Sequence, residues 1–152
     1  HVFVPLDGSS PPEDVAAAAR ALAARTVVEV PALATTAFVK DERRGRLFVD
    51  STRVGGATVV AAYSPRLRPG TPVSYPVGWD GLDEAVPAEI TVHDAVERLD
   101  GRDRWAEQMP APFALPLDVV AEGHEIPVAR VQAMHEGKRR ARDRAAESTG
   151  EA

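Results

Sequence analysis

Proline placement limits this chain more than any other sequence feature, because proline fixes its own φ angle and has no amide hydrogen to donate. Two segments, 64–76 and 109–127, hold most of the prolines. We expect turns and loops over 64–76 and an extended arm or linker over 109–127. These prolines are Pro65, Pro69, Pro72, Pro76, Pro110, Pro112, Pro116 and Pro127.

Helices are predicted where capping residues precede a periodic apolar pattern. Ser10 and Glu13 are spaced as a capping box, and the alanine-rich run behind them predicts a helix to about Arg25. Thr91 and Asp94 form a second capping box, which opens a helix through Leu99. Residues 128–147 favour a further helix with a very basic end. The first helix has an apolar stripe of Val15, Ala18, Ala19 and Leu22.

Short runs rich in β-branched and aromatic residues predict strands over 1–6, 47–50 and 57–63. The nearly continuous apolar character of 57–63 indicates a strand buried on both faces. Helices and strands therefore mix along the chain. The predicted fold class is α+β (mixed α/β), with a mixed sheet and flanking helices.

Charge is unevenly distributed, and the distribution is more informative than the net charge of −5. Residues 36–70 carry seven basic against three acidic side chains, and residues 137–152 carry five against three. The rest of the chain is acidic. A basic block favours contact with phosphate, whereas solvated turn charge is the alternative explanation. In the first block the candidates for DNA contact are Lys40, Arg43, Arg44 and Arg46.

Several function classes are excluded by what the sequence lacks. The chain has no cysteine, which rules out a disulfide scaffold, a thiolate zinc site and a cysteine nucleophile. It contains no phosphate-binding loop and no dinucleotide fingerprint. No apolar run approaches the roughly 20 residues that cross a bilayer, so we expect no membrane partner. The absence of cysteine is compatible with a reducing cytoplasm, where we expect the protein to be located.

Two groups of residues are candidates for chemistry. His124 and His135 lie near three glutamates, but their spacing matches no common metal-ligand pattern. The second group is His1, Asp50, Arg53 and Arg66. A carboxylate at a strand end can hold a divalent metal, while His and Arg brace phosphate oxygens. On spacing alone, a strand-end turn with solvated arginines is the favoured explanation of this group.

Residues 1–6, 44–50, 56–73 and 79–82 resemble segments of one known family. They are similar to the primase-polymerase domain of bacterial DNA ligase D, in the archaeal-eukaryotic primase superfamily. Residues 1–6 resemble the end of that family's Ser-Gly-x-x-Gly-x-His motif and the strand that follows it. Residues 44–50 resemble a hydrophobic strand that ends in the third catalytic Asp. The resemblance runs with gaps from residue 1 to about Trp105.

The resemblance implies roles for individual residues. Asp50 would be a catalytic carboxylate and a ligand of a divalent metal (Mn or Mg). His1 and Arg66 would contact the phosphates of a nucleoside triphosphate, and Arg53 would lie near the nucleotide. The family has Asn after that last position, where this chain has Val54. The implied function is template-dependent nucleotidyl transfer in DNA end repair by non-homologous end joining.

One part of the family pattern is not found in these residues. The family binds its metals with an Asp-x-Asp pair upstream of the His motif, and this sequence contains no Asp-x-Asp. We therefore expect the C-terminal part of the domain over 1–107, the arm over 108–127 and a basic helical or disordered tail over 128–152. Such a chain would be inactive alone. The alternative is a non-catalytic or split module that binds nucleotide or DNA. A DNA ligase and an end-binding protein are the expected partners.

Overall fold

A computed structural model describes residues 1–54 and 59–128. These residues form two compact units. Unit 1 comprises His1–Pro5 and Thr58–Phe113, and unit 2 comprises Leu6–Ala57 and Ala114–Ala152. The described residues contain α-helices and a small parallel sheet, so the predicted α+β class is confirmed. None of the helices in these ranges is long and apolar enough to cross a membrane.

Unit 2 is built on helix α1, Pro12–Glu29. Pro12 takes the first helical position, where its missing amide hydrogen is no loss, and Glu13 and Asp14 suit the positive end of the helix dipole. The predicted capping box is wrong, because Pro11 and not Ser10 is the N-cap residue, and no side chain caps the helix. The helix also continues one turn beyond the predicted end at Arg25.

Helix α4, Leu117–Glu125, packs against α1 through small residues. Ala18 and Ala21 of α1 form a cluster with Val119 and Val120 of α4. The approach is so close that a Cβ added to Gly123 would lie 1.9 Å from the Ala17 carbonyl oxygen. The predicted apolar stripe is rotated, since Leu22 is 49% exposed. The buried face of α1 instead consists of Ala16, Ala17, Ala18, Arg20, Ala21 and Ala23.

The same helix segment corrects the interpretation of residues 109–127. Residues 117–125 are helical and packed, where the proline content predicts an extended arm. Pro116 occupies the N-cap position of α4 and thus precedes the helix without interrupting it. Two polar pairs flank the α1–α4 contact: Arg25 donates to Glu122 Oε2, and His124 Nε2 lies 2.7 Å from Asp14 Oδ1.

The sheet of unit 2 is a short parallel pair. Strand β1, Ala34–Thr35, pairs with strand β2, Leu47–Phe48, with Ala34 opposite Leu47. The predicted strand at 47–50 is therefore present over its first two residues. The connection between the strands contains a 3-10 helix, Lys40–Arg43, followed by Arg44 and Gly45 at positive φ.

Unit 1 is held by antiparallel bridges and short helices. Isolated bridges join Pro65 to Val73 and Pro72 to Thr91. Val73, Ile90 and Ala95 form the core, against which Tyr63, Tyr75 and Val92 pack. The second predicted capping box is confirmed, because Thr91 and Asp94 cap helix α2, Val92–Leu99. Helix α3, Arg104–Gln108, follows and is capped by the side chain of Asp103.

Two predicted strands of unit 1 are not formed in the described residues. Residues 1–5 and 59–63 belong to no strand, and Tyr63 has φ +64, in the left-handed region. The remainder of the predicted strand at 57–63 lies outside the described residues. So does the predicted helix over 128–147 apart from its first residue, and with it His135. The division at residues 107 and 127 stays a prediction.

Candidate functional site

Asp50 follows β2 and turns back onto its own chain. Its Oδ1 accepts hydrogen bonds from the Thr52 backbone amide at 2.9 Å and from the Thr52 hydroxyl at 2.5 Å. This is the local turn that aspartate side chains favour, with the carboxylate taking the place of a backbone carbonyl. The carboxylate is thereby held in one orientation two residues after the end of the strand.

Arg53 is the second sequence-predicted residue at this turn. Its Nε lies 3.4 Å from Asp50 Oδ2, and the two side chains are 60% and 32% exposed. Partial burial acts to raise the pKa of the Asp50 carboxyl, but the two Thr52 hydrogen bonds and the Arg53 charge together lower that pKa below its usual value. Asp50 is therefore a carboxylate at neutral pH.

Asp50 can supply one ligand to a metal ion, but the described side chains around it do not make a complete metal site. Across residues 1–54 and 59–128, no group of three or more His, Asp or Glu side chains lies close enough to hold an ion. Divalent metals such as Mg prefer several oxygen ligands. The His124 candidate is also accounted for, because its ring bonds to Asp14 on α1.

A pocket of about 140 Å³ opens beside the Asp50 turn in unit 2. It is too small for a nucleotide, because sites for such ligands measure roughly 300 Å³ or more. The Arg20 guanidinium at this pocket donates to the Gly123 carbonyl oxygen through Nε at 3.2 Å and Nη2 at 3.1 Å. Its positive charge thus stabilises the carbonyl end of α4. The lining includes Arg20, Thr36, Phe38, Phe48, Ser51 and Thr52.

The basic turn between β1 and β2 contains two kinds of cation. Arg43 is half-buried: its Nε and Nη2 donate to the carbonyl oxygens of Ala37 and Phe38, and its guanidinium lies 4.2 Å from the Phe48 ring centroid. Arg46 Nε donates to the Arg43 carbonyl oxygen. Both guanidinium groups hold the turn itself together. By contrast, Lys40 and Arg44 are exposed.

His1 and Arg66 belong to unit 1. The His1 ring is edge-on to Phe3 at 6.1 Å between centroids, and Phe3 is edge-on to Trp105 at 4.8 Å. Arg66 lies on a hairpin at 63–74, where its amide donates to the Pro72 carbonyl oxygen at 2.7 Å. Its side chain is exposed.

The residues predicted from the sequence to form the site are thus distributed over both units. Asp50 and Arg53 are in contact, and the basic turn belongs to the same unit 2. His1 and Arg66 share unit 1. Sequence reasoning missed Thr52, whose spacing two residues after Asp50 is the signal for such a turn. It also missed Tyr63, Asp103 and Trp105, which are linked by hydrogen bonds.

Comparison with known proteins agrees with the resemblance. The family model described as "LigD, primase-polymerase domain" matches residues 1–105. The multifunctional non-homologous end joining DNA repair protein LigD of Mycobacterium tuberculosis H37Rv is 29% identical over an alignment of 147 residues, and the alignment covers 82% of this chain. The multifunctional non-homologous end joining protein LigD of Pseudomonas aeruginosa is 35% identical over an alignment of 112 residues, and the alignment covers 70% of this chain.

These relatives are much longer than the present sequence. The aligned region covers 19% of the Mycobacterium tuberculosis protein and 13% of the Pseudomonas aeruginosa protein. The matched residues 1–105 nevertheless include all the residues proposed from the sequence to bind metal, nucleotide or DNA: His1, Lys40, Arg43, Arg44, Arg46, Asp50, Arg53 and Arg66.

Proposed function

Because the chain belongs to the LigD primase-polymerase domain family, we propose that it contributes to template-dependent nucleotidyl transfer at broken DNA ends. In the proposed reaction a primer 3′-hydroxyl attacks the α-phosphate of a nucleoside triphosphate, and pyrophosphate leaves. The names of the relatives, a non-homologous end joining DNA repair protein and a non-homologous end joining protein, support this assignment. They also support a location where DNA is found, which in a bacterium is the cytoplasm.

Asp50 carries the proposal. It is ionised, it is fixed by Thr52 two residues after the end of β2, and one of its oxygens faces Arg53 at 3.4 Å. A carboxylate so held suits one ligand of a divalent metal, Mn or Mg, which would offset the charge of the phosphates. The contact with Arg53 is long and exposed, so a stronger cation can displace it.

His1 and Arg66 are proposed to bind the phosphates. Arginine presents a planar fork of donors that matches phosphate oxygens, and the exposed Arg66 side chain leaves that fork accessible. A histidine ring donates a hydrogen bond to phosphate from either nitrogen when protonated. Arg53, which already faces the Asp50 carboxylate, is proposed to move to the nucleotide when a metal occupies its place.

Lys40 and Arg44 are proposed to contact the DNA backbone. Their side chains are exposed, whereas Arg43 and Arg46 donate to carbonyl oxygens of their own turn. Contacts of this kind are electrostatic and weaken as salt rises. The expected partners are DNA ends, a nucleoside triphosphate, a DNA ligase and an end-binding protein.

A non-catalytic or split module is the second candidate. It is favoured by the donor set, because the described residues include no group of three metal-ligating side chains. One carboxylate cannot position two metal ions. On this view the chain binds nucleotide or DNA, and turnover requires carboxylates from outside these residues. We accordingly propose that the chain alone is inactive.

The test is nucleotide addition to a DNA primer end after the chain is combined with the Asp-x-Asp-bearing part of a family domain. Asp50→Ala should abolish addition by more than a hundredfold and leave the circular dichroism spectrum unchanged. Asp41→Ala is the matched control, because Asp41 is an exposed carboxylate on the preceding turn. Equal activity of the two variants would refute the role of Asp50. Nucleotide binding with no addition in the wild-type combination would favour the second candidate.

A further inference from the structure

Tyr63 combines an unfavourable backbone with a well-bonded side chain. Its φ of +64 is rare for a bulky residue, and backbone strain of this kind persists only where the surroundings impose it. The surroundings here are hydrogen bonds on both sides of the residue. The Tyr63 amide donates to the Ser74 carbonyl oxygen at 2.7 Å, and the Ser74 amide donates to Ser64 at 2.9 Å.

The hydroxyl group of Tyr63 links the hairpin to α3. It donates to Asp103 Oδ1 at 2.9 Å and accepts from the Trp105 backbone amide at 2.9 Å. Burial and the Asp103 carboxylate raise the pKa of Tyr63, and the Trp105 amide opposes them. The hydroxyl therefore stays protonated and keeps its role as donor. Trp105 is held at the first turn of α3 by this hydroxyl and by Asp103.

Trp105 in turn supports the N-terminal segment. Its ring meets Phe3 edge to face with centroids 4.8 Å apart, and Phe3 meets His1 in the same way at 6.1 Å. The Phe113 amide also donates to the Pro5 carbonyl oxygen at 3.4 Å. Edge-to-face contacts at these separations are favourable beyond the area they bury. The His1 ring thus rests on a chain of contacts that starts at Tyr63.

Arg66 lies on the hairpin that Tyr63 begins. Arg66 follows Tyr63 by three residues. It is held in the hairpin by the bridge between Pro65 and Val73 and by the hydrogen bond from the Arg66 amide to the Pro72 carbonyl oxygen. Tyr63 therefore belongs both to the chain of contacts that supports the His1 ring and to the hairpin that carries Arg66. All of these residues belong to unit 1.

We propose that Tyr63 is a positioning residue for phosphate binding: its hydroxyl fixes Trp105, and through Phe3 the His1 ring, relative to the hairpin that carries Arg66. The proposal rests on the function proposed above. Its ligand is the triphosphate of a nucleotide, and Tyr63 itself does not touch that ligand.

Tyr75 offers a matched control. It packs against Tyr63 at 5.9 Å between ring centroids, in the same cluster, but its buried hydroxyl has no hydrogen-bond partner among the described residues. Tyr63→Phe and Tyr75→Phe each remove one hydroxyl from this cluster. Only the first removes hydrogen bonds.

Two measurements on the full chain test the proposal. In the absence of nucleotide, Tyr63→Phe should reduce the proton cross-relaxation signals between the Phe3 and Trp105 rings and between His1 and Phe3 at least threefold. Calorimetric titration with ATP and Mg²⁺ should give a dissociation constant about tenfold higher, as the loss of hydrogen bonds predicts. Tyr75→Phe should change both quantities less than twofold. Thermal unfolding of each variant checks that it is folded.

A double-mutant cycle separates positioning from general loosening. In a His1→Ala background, Tyr63→Phe should weaken ATP binding less than twofold, because the ring it positions is gone. An equal loss in both backgrounds, or equal effects of the two Tyr→Phe variants, would overturn the proposal. If the wild-type chain binds no ATP, the proposed function fails at that step. The ring signals then still decide whether Tyr63 positions His1.

Discussion

The two units hold their residues in place by different physical means. In unit 2, helices α1 and α4 meet through alanines and Gly123, with backbone close to backbone. In unit 1, isolated bridges and side-chain hydrogen bonds do the same work around a small core of Val73, Ile90 and Ala95. The contact between α1 and α4 therefore requires that residue 123 has no side chain. The hairpin region of unit 1 requires particular hydrogen-bonding oxygen atoms, such as the Tyr63 hydroxyl.

Two spectroscopic signals report on the units separately. Both tryptophans, Trp79 and Trp105, lie in unit 1, so their fluorescence follows that unit. Among the residues that the structure describes, the longest helix is α1, which has 18 residues, lies in unit 2 and contributes most to the far-ultraviolet circular dichroism. Each variant below is therefore measured with both signals.

Gly123→Ala should have the largest effect. The added Cβ would lie 1.9 Å from the Ala17 carbonyl oxygen, so α1 and α4 must separate. We expect a loss of about 3 kcal/mol in the free energy of unfolding, the upper range for overpacking. The melting temperature seen by circular dichroism should fall by about 9 °C, and the tryptophan signal should move less. Ala121→Gly, on an exposed site of α4, is the control for helix propensity. An unchanged melting temperature for Gly123→Ala would contradict the close packing.

Arg43→Ala should have the next largest effect, about 2 kcal/mol, because two hydrogen bonds and the contact with the Phe48 ring are lost. Arg44→Ala removes an exposed cation from the same turn and should change stability by about 0.5 kcal/mol or less. For DNA binding we expect the reverse order, so that Arg44→Ala weakens binding more than Arg43→Ala. Arg44→Ala should lower the slope of log affinity against log salt by about 1. If the same variant had the larger effect on both stability and DNA binding, the assignment of Arg43 to the structure of the turn and of Arg44 to DNA contact would be refuted.

Thr91→Ala removes one half of the α2 capping box and should cost about 1 kcal/mol. The loss should appear in tryptophan fluorescence more than in circular dichroism, because α2 belongs to unit 1. Thr91→Ser keeps the hydroxyl and should restore most of the stability. Failure of serine to restore it would assign the effect to the lost methyl group and not to the cap.

The smallest effect expected is an acid dependence of the same helix. Hydrogen bonds from the Thr91 hydroxyl and amide lower the pKa of Asp94 in the folded chain. A carboxyl group with a lowered pKa stabilises the fold above its unfolded pKa of about 4, and this contribution is lost as pH falls through the folded value. Asp94→Asn should flatten the fluorescence-detected stability in that pH window. A slope equal to that of the wild type would show that other carboxyl groups dominate.

The sequence correctly predicted the elements that depend on residues close to one another in the chain. The capping box at Thr91 and Asp94 was visible from their spacing of three residues, and it opens α2 as expected. Strand β2 was visible from Leu47 and Phe48. The runs at 1–6 and 59–63 had the composition of strands but find no partner strand in the described residues, and β propensity reflects packing against neighbours.

Distant contacts account for what the sequence did not reveal. Helix α4 follows a proline-rich stretch and is stabilised by α1, about a hundred residues earlier in the chain. Asp50 and Arg53 could be paired from their spacing, since they are three residues apart. The different surroundings of Arg43 and Arg44 could not be predicted, because the carbonyl groups that Arg43 reaches depend on how the turn folds.

The left-handed backbone at Tyr63 has a consequence for which amino acids this position can accept. Glycine and asparagine suit φ +64 and would relieve the backbone, but neither carries a ring or a phenolic hydroxyl. Other aromatic residues keep the ring and leave the backbone strained. A library of all substitutions at residue 63 should therefore divide into variants that fold more stably and variants that keep the link to Trp105, with tyrosine as the compromise between them.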